Sequence, residues 1–77
     1  MEIKILGTGC AKCKTLEKIT RETVAAIGLD ATISKVEDIM DIMTFGVVST
    51  PALVIDSKVV LYGRIPSNDE MKKILTQ

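Results

Sequence analysis

Along this 77-residue chain, the spacing of the apolar residues alternates between the period of a strand and that of a helix. The order of these strand-like and helix-like segments is the sequence feature that most restricts the possible folds. A chain of this length has too few residues to bury two separate cores, so we expect one domain spanning residues 1–77. The succession of patterns predicts the element order β-α-β-α-β-β-α.

The first half of the chain predicts two strands joined by a helix. Residues 2–7 form a short β-branched run that ends at a glycine, and residues 31–36 alternate between apolar and polar side chains. Between them, apolar positions recur at helical spacing from Leu16 to Ile27, and Gly28 is typical of a helix end. Strands joined by such a crossover helix are parallel.

The second half predicts a short helix, a hairpin and a last helix. Asp38 is a candidate N-cap for a short helix whose Ile39, Ile42 and Met43 lie on one face. Residues 52–55 and 58–62 read as two antiparallel strands.

The last helix begins at a predicted capping box that runs from Ser67 to Glu70. Its apolar stripe contains Met71, Ile74 and Leu75. Together the elements predict an α/β fold, with a four-stranded mixed sheet and helices on both faces.

Composition argues against several classes of function. Ten Lys and Arg residues balance ten Asp and Glu residues, which argues against nucleic acid as a partner because binding it requires a basic surface. Phe45 and Tyr62 are the only aromatic residues, so the sequence offers no platform for stacking bases. The chain has no histidine and therefore lacks the commonest metal ligand and general base.

We expect neither a membrane partner nor an export signal. The longest uncharged stretch, residues 42–55, contains Gly46 and Pro51. It is shorter than the roughly 20 apolar residues that a spanning helix requires. The N-terminal residues 1–4 do not resemble a signal peptide, so we expect a cytoplasmic protein.

Two cysteines, Cys10 and Cys13, stand between the first strand and the first helix. A helix N-terminus favours a thiolate, and Lys12 and Lys14 add positive charge. Cys13 continues the apolar stripe and should be buried, whereas Cys10 precedes the stripe and should be exposed. This layout is that of an attacking and a resolving cysteine.

Three other interpretations of the pair were weighed. Two buried, inert cysteines would not explain the position of Cys10 in a turn. A zinc site needs four ligands, which one copy of this chain does not offer. A soft-metal or metalloid carrier is the remaining alternative, because residues 7–13 loosely resemble the loop of heavy-metal-associated domains. Those domains end in a strand, however, and carry a methionine before the first cysteine.

With its Cys-x-x-Cys at a helix start and its Thr-Pro before a hairpin, the chain resembles the thioredoxin–glutaredoxin superfamily in its minimal form. The most similar group is that of the short prokaryotic redox-active disulfide proteins, through residues 49–56 and 63–67. The resemblance implies that Cys10 is the nucleophile, Cys13 the resolving thiol and Pro51 a cis-proline facing them.

The resemblance also implies a function. It indicates a thiol–disulfide oxidoreductase that acts on disulfide-containing protein substrates and is reduced by a thioredoxin-reductase-type electron donor. No bound cofactor or metal is implied, only a redox-active Cys10–Cys13 disulfide, and we expect a monomer. Substrates of the family lie along the backbone just before the proline. The candidate substrate contacts are Thr8, Gly9, Lys12, Thr50, Pro51 and Gly63.

The chain departs from the thioredoxin pattern at several positions. Gly9 stands where thioredoxins have tryptophan, and Ala11-Lys12 stands where they have Gly-Pro. Lys4 occupies the approximate position of their buried acid, and we interpret it as a lysine whose amine reaches solvent. Glutaredoxins have a second glycine where this chain has Arg64, which we expect to be solvated.

Overall fold

The computed structural model describes residues 1–76 and confirms the predicted order of elements. Within these residues, none of the helices combines the length and the apolar character that crossing a membrane requires. The seven elements are β1 (Glu2–Leu6), α1 (Ala11–Ile27), β2 (Thr32–Val36), α2 (Ile39–Thr44), β3 (Ala52–Ile55), β4 (Lys58–Tyr62) and α3 (Asn68–Leu75).

The four strands form one mixed sheet in the order β2-β1-β3-β4. Strands β1 and β2 are parallel, as the crossover helix predicts, whereas β3 is antiparallel to both β1 and β4. Leu6, the last residue of β1, is paired with Val36 on one side and with Ala52 on the other. The end of β1 and the start of β3 are therefore neighbours at the same end of the sheet.

Helices cover both faces of the sheet, as predicted. The face covered by α1 and α3 holds the larger cluster of buried side chains, and the face covered by α2 holds a smaller one. The larger cluster consists of Ile3, Ile5, Leu16, Leu53, Leu61, Met71 and Leu75. The smaller cluster consists of Leu6, Ile42, Val47, Ala52 and Val54.

Local signals account for most of the boundaries. The Asp38 side chain accepts a hydrogen bond from the Met40 N–H at 2.8 Å and so caps α2, as predicted. Gly28 ends α1 in the left-handed conformation, with a φ of 65°. Asp56 and Ser57 have φ values of 47° and 71°, the pair of positive angles that a two-residue hairpin turn of type I′ requires.

Ile39, Ile42 and Met43 share one face of α2, as predicted, but that face is largely uncovered. Only Ile42 is buried, whereas Ile39 is 61% exposed and Met43 is 64% exposed. A helix of six residues makes fewer than two turns, so it presents little surface to the sheet and most of its apolar side chains have nothing to cover them.

Candidate active site

Cys10 is the N-cap residue of α1. Its backbone is extended, with φ −69° and ψ 166°, and its sulfur accepts a hydrogen bond from the Cys13 N–H at 3.2 Å. Its carbonyl accepts the first hydrogen bond of the helix, from the Lys14 N–H at 3.1 Å. The first N–H groups of a helix have no partner within it, so they and the helix dipole stabilise negative charge on the Cys10 sulfur.

The sulfurs of Cys10 and Cys13 are joined in a disulfide, and the two Cα atoms are 5.1 Å apart. Cys10 is exposed, whereas Cys13 is only 6% exposed and faces the sheet. The predicted difference in exposure is therefore confirmed. One cysteine of the pair is open to a partner molecule, and the other is not.

A second loop ends at the start of β3, the strand that pairs with the end of β1. Pro51 is buried, and the peptide bond between Thr50 and Pro51 is cis. The Pro51 carbonyl accepts a hydrogen bond from the Gly63 N–H at 2.9 Å. A Cβ at Gly63 would lie 3.4 Å from the Cβ of Ser49, so the chain after β4 packs closely against this loop.

An apolar groove of about 320 Å³ runs from the dithiol loop along α2. Thr8 and Thr50 lie at its end near the cysteines, and the uncovered side chains of α2 form its wall. The residues that line the groove are Thr8, Ile39, Ile42, Met43, Val47, Val48 and Thr50. An apolar surface of this kind binds an apolar segment of a partner by removing both from water.

A smaller cavity of about 110 Å³ adjoins Cys13 on the opposite side of the loop and has charged walls. The Glu17 carboxylate accepts a hydrogen bond from Arg21 at 3.0 Å, in an i,i+4 arrangement that stabilises a helix. The Lys35 amine lies 3.5 Å from Glu17 and 3.8 Å from Glu37. The hydrogen bond from Arg21 and the nearby Lys35 charge hold the pKa of Glu17 below its ordinary value.

The candidate substrate contacts fall into separate groups. Thr8 and Thr50 share the apolar groove, and Gly63 supports Pro51 through its backbone. Gly9 lines the charged cavity instead of the groove. Lys12 is exposed on the first turn of α1. The structure thus brings Thr8 and Thr50 together on one surface and places Gly9 on another.

Arg64 is paired, which corrects the expectation that it is simply solvated. Its guanidinium donates two hydrogen bonds to the Glu70 carboxylate, one of them at 2.7 Å. These bonds lower the pKa of Glu70 and raise that of Arg64. Because the Glu70 side chain is occupied, it does not complete the predicted capping box. Only the bond from the Glu70 N–H to the Ser67 hydroxyl, at 3.1 Å, is formed.

Most of the groove was not predicted from the sequence. The sequence places Ile39, Ile42 and Met43 on one face of α2, and these side chains do line the groove together, but it indicates no function for that face and none for Val47 or Val48. One signal was available: residues 39–48 contain more apolar side chains than a helix of six residues can bury. Such an excess indicates either a larger core or an exposed apolar surface.

Within residues 1–76, no group of three or more Cys, His, Asp or Glu side chains lies in an arrangement that would hold a metal ion. Lys4, at the approximate position of the buried acid, lies 3.5 Å from Glu2, and its amine is 5.4 Å from the centre of the Phe45 ring. The site is thus a disulfide with an apolar groove on one side and a charged cavity on the other.

Comparison with known proteins agrees with this geometry. A family model described as "Thioredoxin domain" matches residues 1–76. A protein named thioredoxin from Methanothermobacter thermautotrophicus is 42% identical over 76 residues, which cover 99% of each chain. Another protein of that name, from Methanocaldococcus jannaschii, is 40% identical over 73 residues, covering 95% of this chain and 84% of its own. The chain therefore belongs to the thioredoxin family and is a protein thiol–disulfide oxidoreductase.

Proposed function

We propose that Cys10 is the nucleophile of this oxidoreductase and that Cys13 resolves the intermediate. In the reduced protein the Cys10 thiolate attacks one sulfur of a substrate disulfide, and the other substrate sulfur leaves with the electron pair and takes up a proton. Cys13 then loses its proton and attacks the Cys10 sulfur, which releases the second substrate sulfur as a thiolate. The substrate has gained two electrons, and the Cys10–Cys13 disulfide is formed.

The position of Cys10 at the N-cap carries this assignment. The hydrogen bond from the Cys13 N–H reaches the Cys10 sulfur, and a thiolate accepts it more strongly than a thiol does. Cys10 is also the exposed member of the pair, so a protein disulfide reaches it first. The burial of Cys13 prevents a direct encounter between that thiol and a substrate.

We propose that the substrates are proteins whose disulfide lies in an extended segment with an apolar side chain near the cysteine. The backbone of Thr50 supports an extended partner because, within residues 1–76, no backbone hydrogen bond uses its N–H or C=O. A strand added there would place alternate side chains over the groove along α2. Ile39 and Met43 would then lose their contact with water.

The electron donor, the compartment and the assembly state are also proposals. A dithiol that has been oxidised needs a reductase for a second turnover, and we propose a donor of the thioredoxin-reductase type. A reducing cytoplasm suits a protein whose only two cysteines form a reactive pair. We propose that the protein acts as a monomer, since a substrate must reach the groove.

Alkylation of the reduced protein tests the assignment. At neutral pH a small alkylating reagent should modify Cys10 at least tenfold faster than Cys13, as measured by mass spectrometry of peptides. The Cys10 rate should reach half its maximum below about pH 8.5, the ordinary value for a free thiol.

The single-cysteine variants provide the matched control. Cys13→Ser should accumulate a mixed disulfide with an oxidised protein substrate, whereas Cys10→Ser should not. Equal alkylation rates, or a mixed disulfide formed through Cys13, would contradict the proposed roles.

A further inference from the structure

Gly7 differs from the other four glycines of the chain. Gly9, Gly28, Gly46 and Gly63 all have positive φ angles, which explains why glycine occupies those positions. The φ angle of Gly7 is not positive, and its N–H donates a hydrogen bond to the Val36 carbonyl at 3.0 Å that continues the pairing of β1 with β2. The backbone conformation at Gly7 therefore does not require glycine.

The sulfur of Cys13 fills the space where a side chain at Gly7 would be. A Cβ built on Gly7 would come closer than 3.0 Å to the Cys13 sulfur, a separation that real Cβ atoms essentially never show, and would lie 3.0 Å from the Cys13 Cβ. Gly7 and Cys13 are both buried, so neither can move toward solvent without disturbing the end of β1 or the first turn of α1.

We propose that Gly7 is a positioning residue for the redox reaction: its missing side chain makes the space that the Cys13 sulfur occupies when it is bonded to Cys10. The contact depends on the redox state. In the disulfide the Cys13 sulfur is fixed by its bond, whereas in the dithiol it rotates about the Cα–Cβ bond to another staggered position. A methyl group at position 7 therefore disfavours the disulfide more than the dithiol.

The same argument applies to the resolving step, where it rests on the role proposed for Cys13. There the Cys13 thiolate forms a bond to the Cys10 sulfur while the bond from Cys10 to the substrate breaks, and the electron pair leaves on the substrate sulfur. The Cys13 sulfur must enter the space beside Gly7 for this bond to form. A side chain at position 7 should therefore prolong the life of the mixed disulfide.

Equilibration of Gly7→Ala with reduced and oxidised glutathione tests the proposal. We expect the equilibrium constant to shift about tenfold toward the dithiol, which corresponds to a reduction potential about 30 mV higher. The control is Gly46→Ala, which strains a backbone at φ 76° where a Cβ meets nothing within 4 Å. The control should leave the potential unchanged although it also destabilises the fold.

Three outcomes would overturn the proposal. They are an unchanged potential in Gly7→Ala, a shift toward the disulfide, and an equal shift in Gly46→Ala. If oxidised Gly7→Ala does not fold, the double variant Gly7→Ala/Cys13→Gly decides when compared with Cys13→Gly alone, because it removes both the sulfur and the Cβ that a side chain at position 7 would meet. Folding of the double variant supports the proposal, and failure to fold contradicts it.

A kinetic measurement separates this inference from the proposed function. After mixing reduced protein with an oxidised protein substrate, the mixed disulfide should persist about tenfold longer in Gly7→Ala than in the unmodified protein. A shifted potential with an unchanged lifetime would retain Gly7 as a positioning residue and contradict the resolving role of Cys13. An unchanged potential would overturn the inference whatever the lifetime.

Discussion

The two faces of the sheet are covered to different extents. On one face, the 17 residues of α1 and the eight of α3 enclose the larger core cluster, where Leu16 is completely buried. On the other face, the six residues of α2 bury Ile42 and leave Ile39, Met40 and Met43 exposed by more than half. The open face is the one that carries the groove beside the dithiol.

This difference indicates that the two faces have different roles, one in stability and the other in binding. Apolar side chains on the closed face are already removed from water, so their burial stabilises the fold. Those on the open face keep their contact with water until a partner covers them, so the same hydrophobic gain is available for binding. Substitutions on the two faces should therefore separate stability from substrate recognition.

The largest expected effect is on the closed face. Leu16→Ala should lower the free energy of unfolding toward the upper end of about 2–5 kcal/mol, because the closed core leaves a cavity that the surrounding side chains cannot fill. Ile42→Ala should cost less, since Ile42 borders the groove and water or neighbouring side chains can enter the space. Urea unfolding of the reduced variants measures both. A larger loss for Ile42→Ala would contradict the comparison.

An intermediate effect is expected on the open face, and it concerns activity. Met43→Glu should raise KM for a protein disulfide substrate about tenfold, equivalent to about 1.4 kcal/mol of binding, because a charge replaces an apolar contact in the groove. Its free energy of unfolding should change by no more than about 0.5 kcal/mol, as expected for an exposed side chain.

Met40→Glu is the matched control for this prediction. Met40 is on the same helix and is 69% exposed, but it does not line the groove. Steady-state reduction of the same protein substrate should show no change in KM for this variant. Equal losses in the two variants would mean that charge on α2, and not contact in the groove, determines substrate binding.

The smallest expected effect is at the Arg64–Glu70 pair. Because the hydrogen bond from Arg64 lowers the pKa of Glu70 in the folded protein, the pair stabilises the fold above the unfolded value of 4.5, and this contribution is lost as pH falls through the folded value. Glu70→Gln should therefore lower the thermal midpoint slightly at pH 7, and the difference should disappear in acid.

Asp69→Asn removes a neighbouring carboxylate from the same turn of α3 and serves as the control. It should not reproduce the pH dependence, because both hydrogen bonds of the Arg64 guanidinium go to Glu70 and not to Asp69. Added salt should reduce the effect of Glu70→Gln, since the pair is exposed. A difference that persists unchanged at low pH would contradict the assignment.

Much of the fold follows from local signals in the sequence. The strand and helix periods, the Gly28 terminus and the caps at Asp38 and Ser67 depend on residues within one turn of one another, so they could be predicted without knowledge of the tertiary structure. The Cys10–Cys13 pair belongs to the same class, since its spacing and its place before an apolar stripe set the difference in exposure.

The remaining features depend on contacts between distant segments. Helical periodicity identifies the apolar face of α2 but does not show whether anything covers it, so the exposure of Met43 could not be predicted. The closeness of Gly7 to the Cys13 sulfur likewise appears only in three dimensions.

The pairing of Leu6 with Ala52 has a consequence for how such a protein diversifies. Ala52 directly follows Pro51, and Leu6 precedes the loop that leads to Cys10. Main-chain hydrogen bonds between β1 and β3 therefore fix the separation between the loop that carries Cys10 and the loop that carries Pro51. The side chains of α2 take no part in that connection. Mutation along α2 can therefore alter which proteins are recognised while the position of Cys10 relative to Pro51 is inherited unchanged.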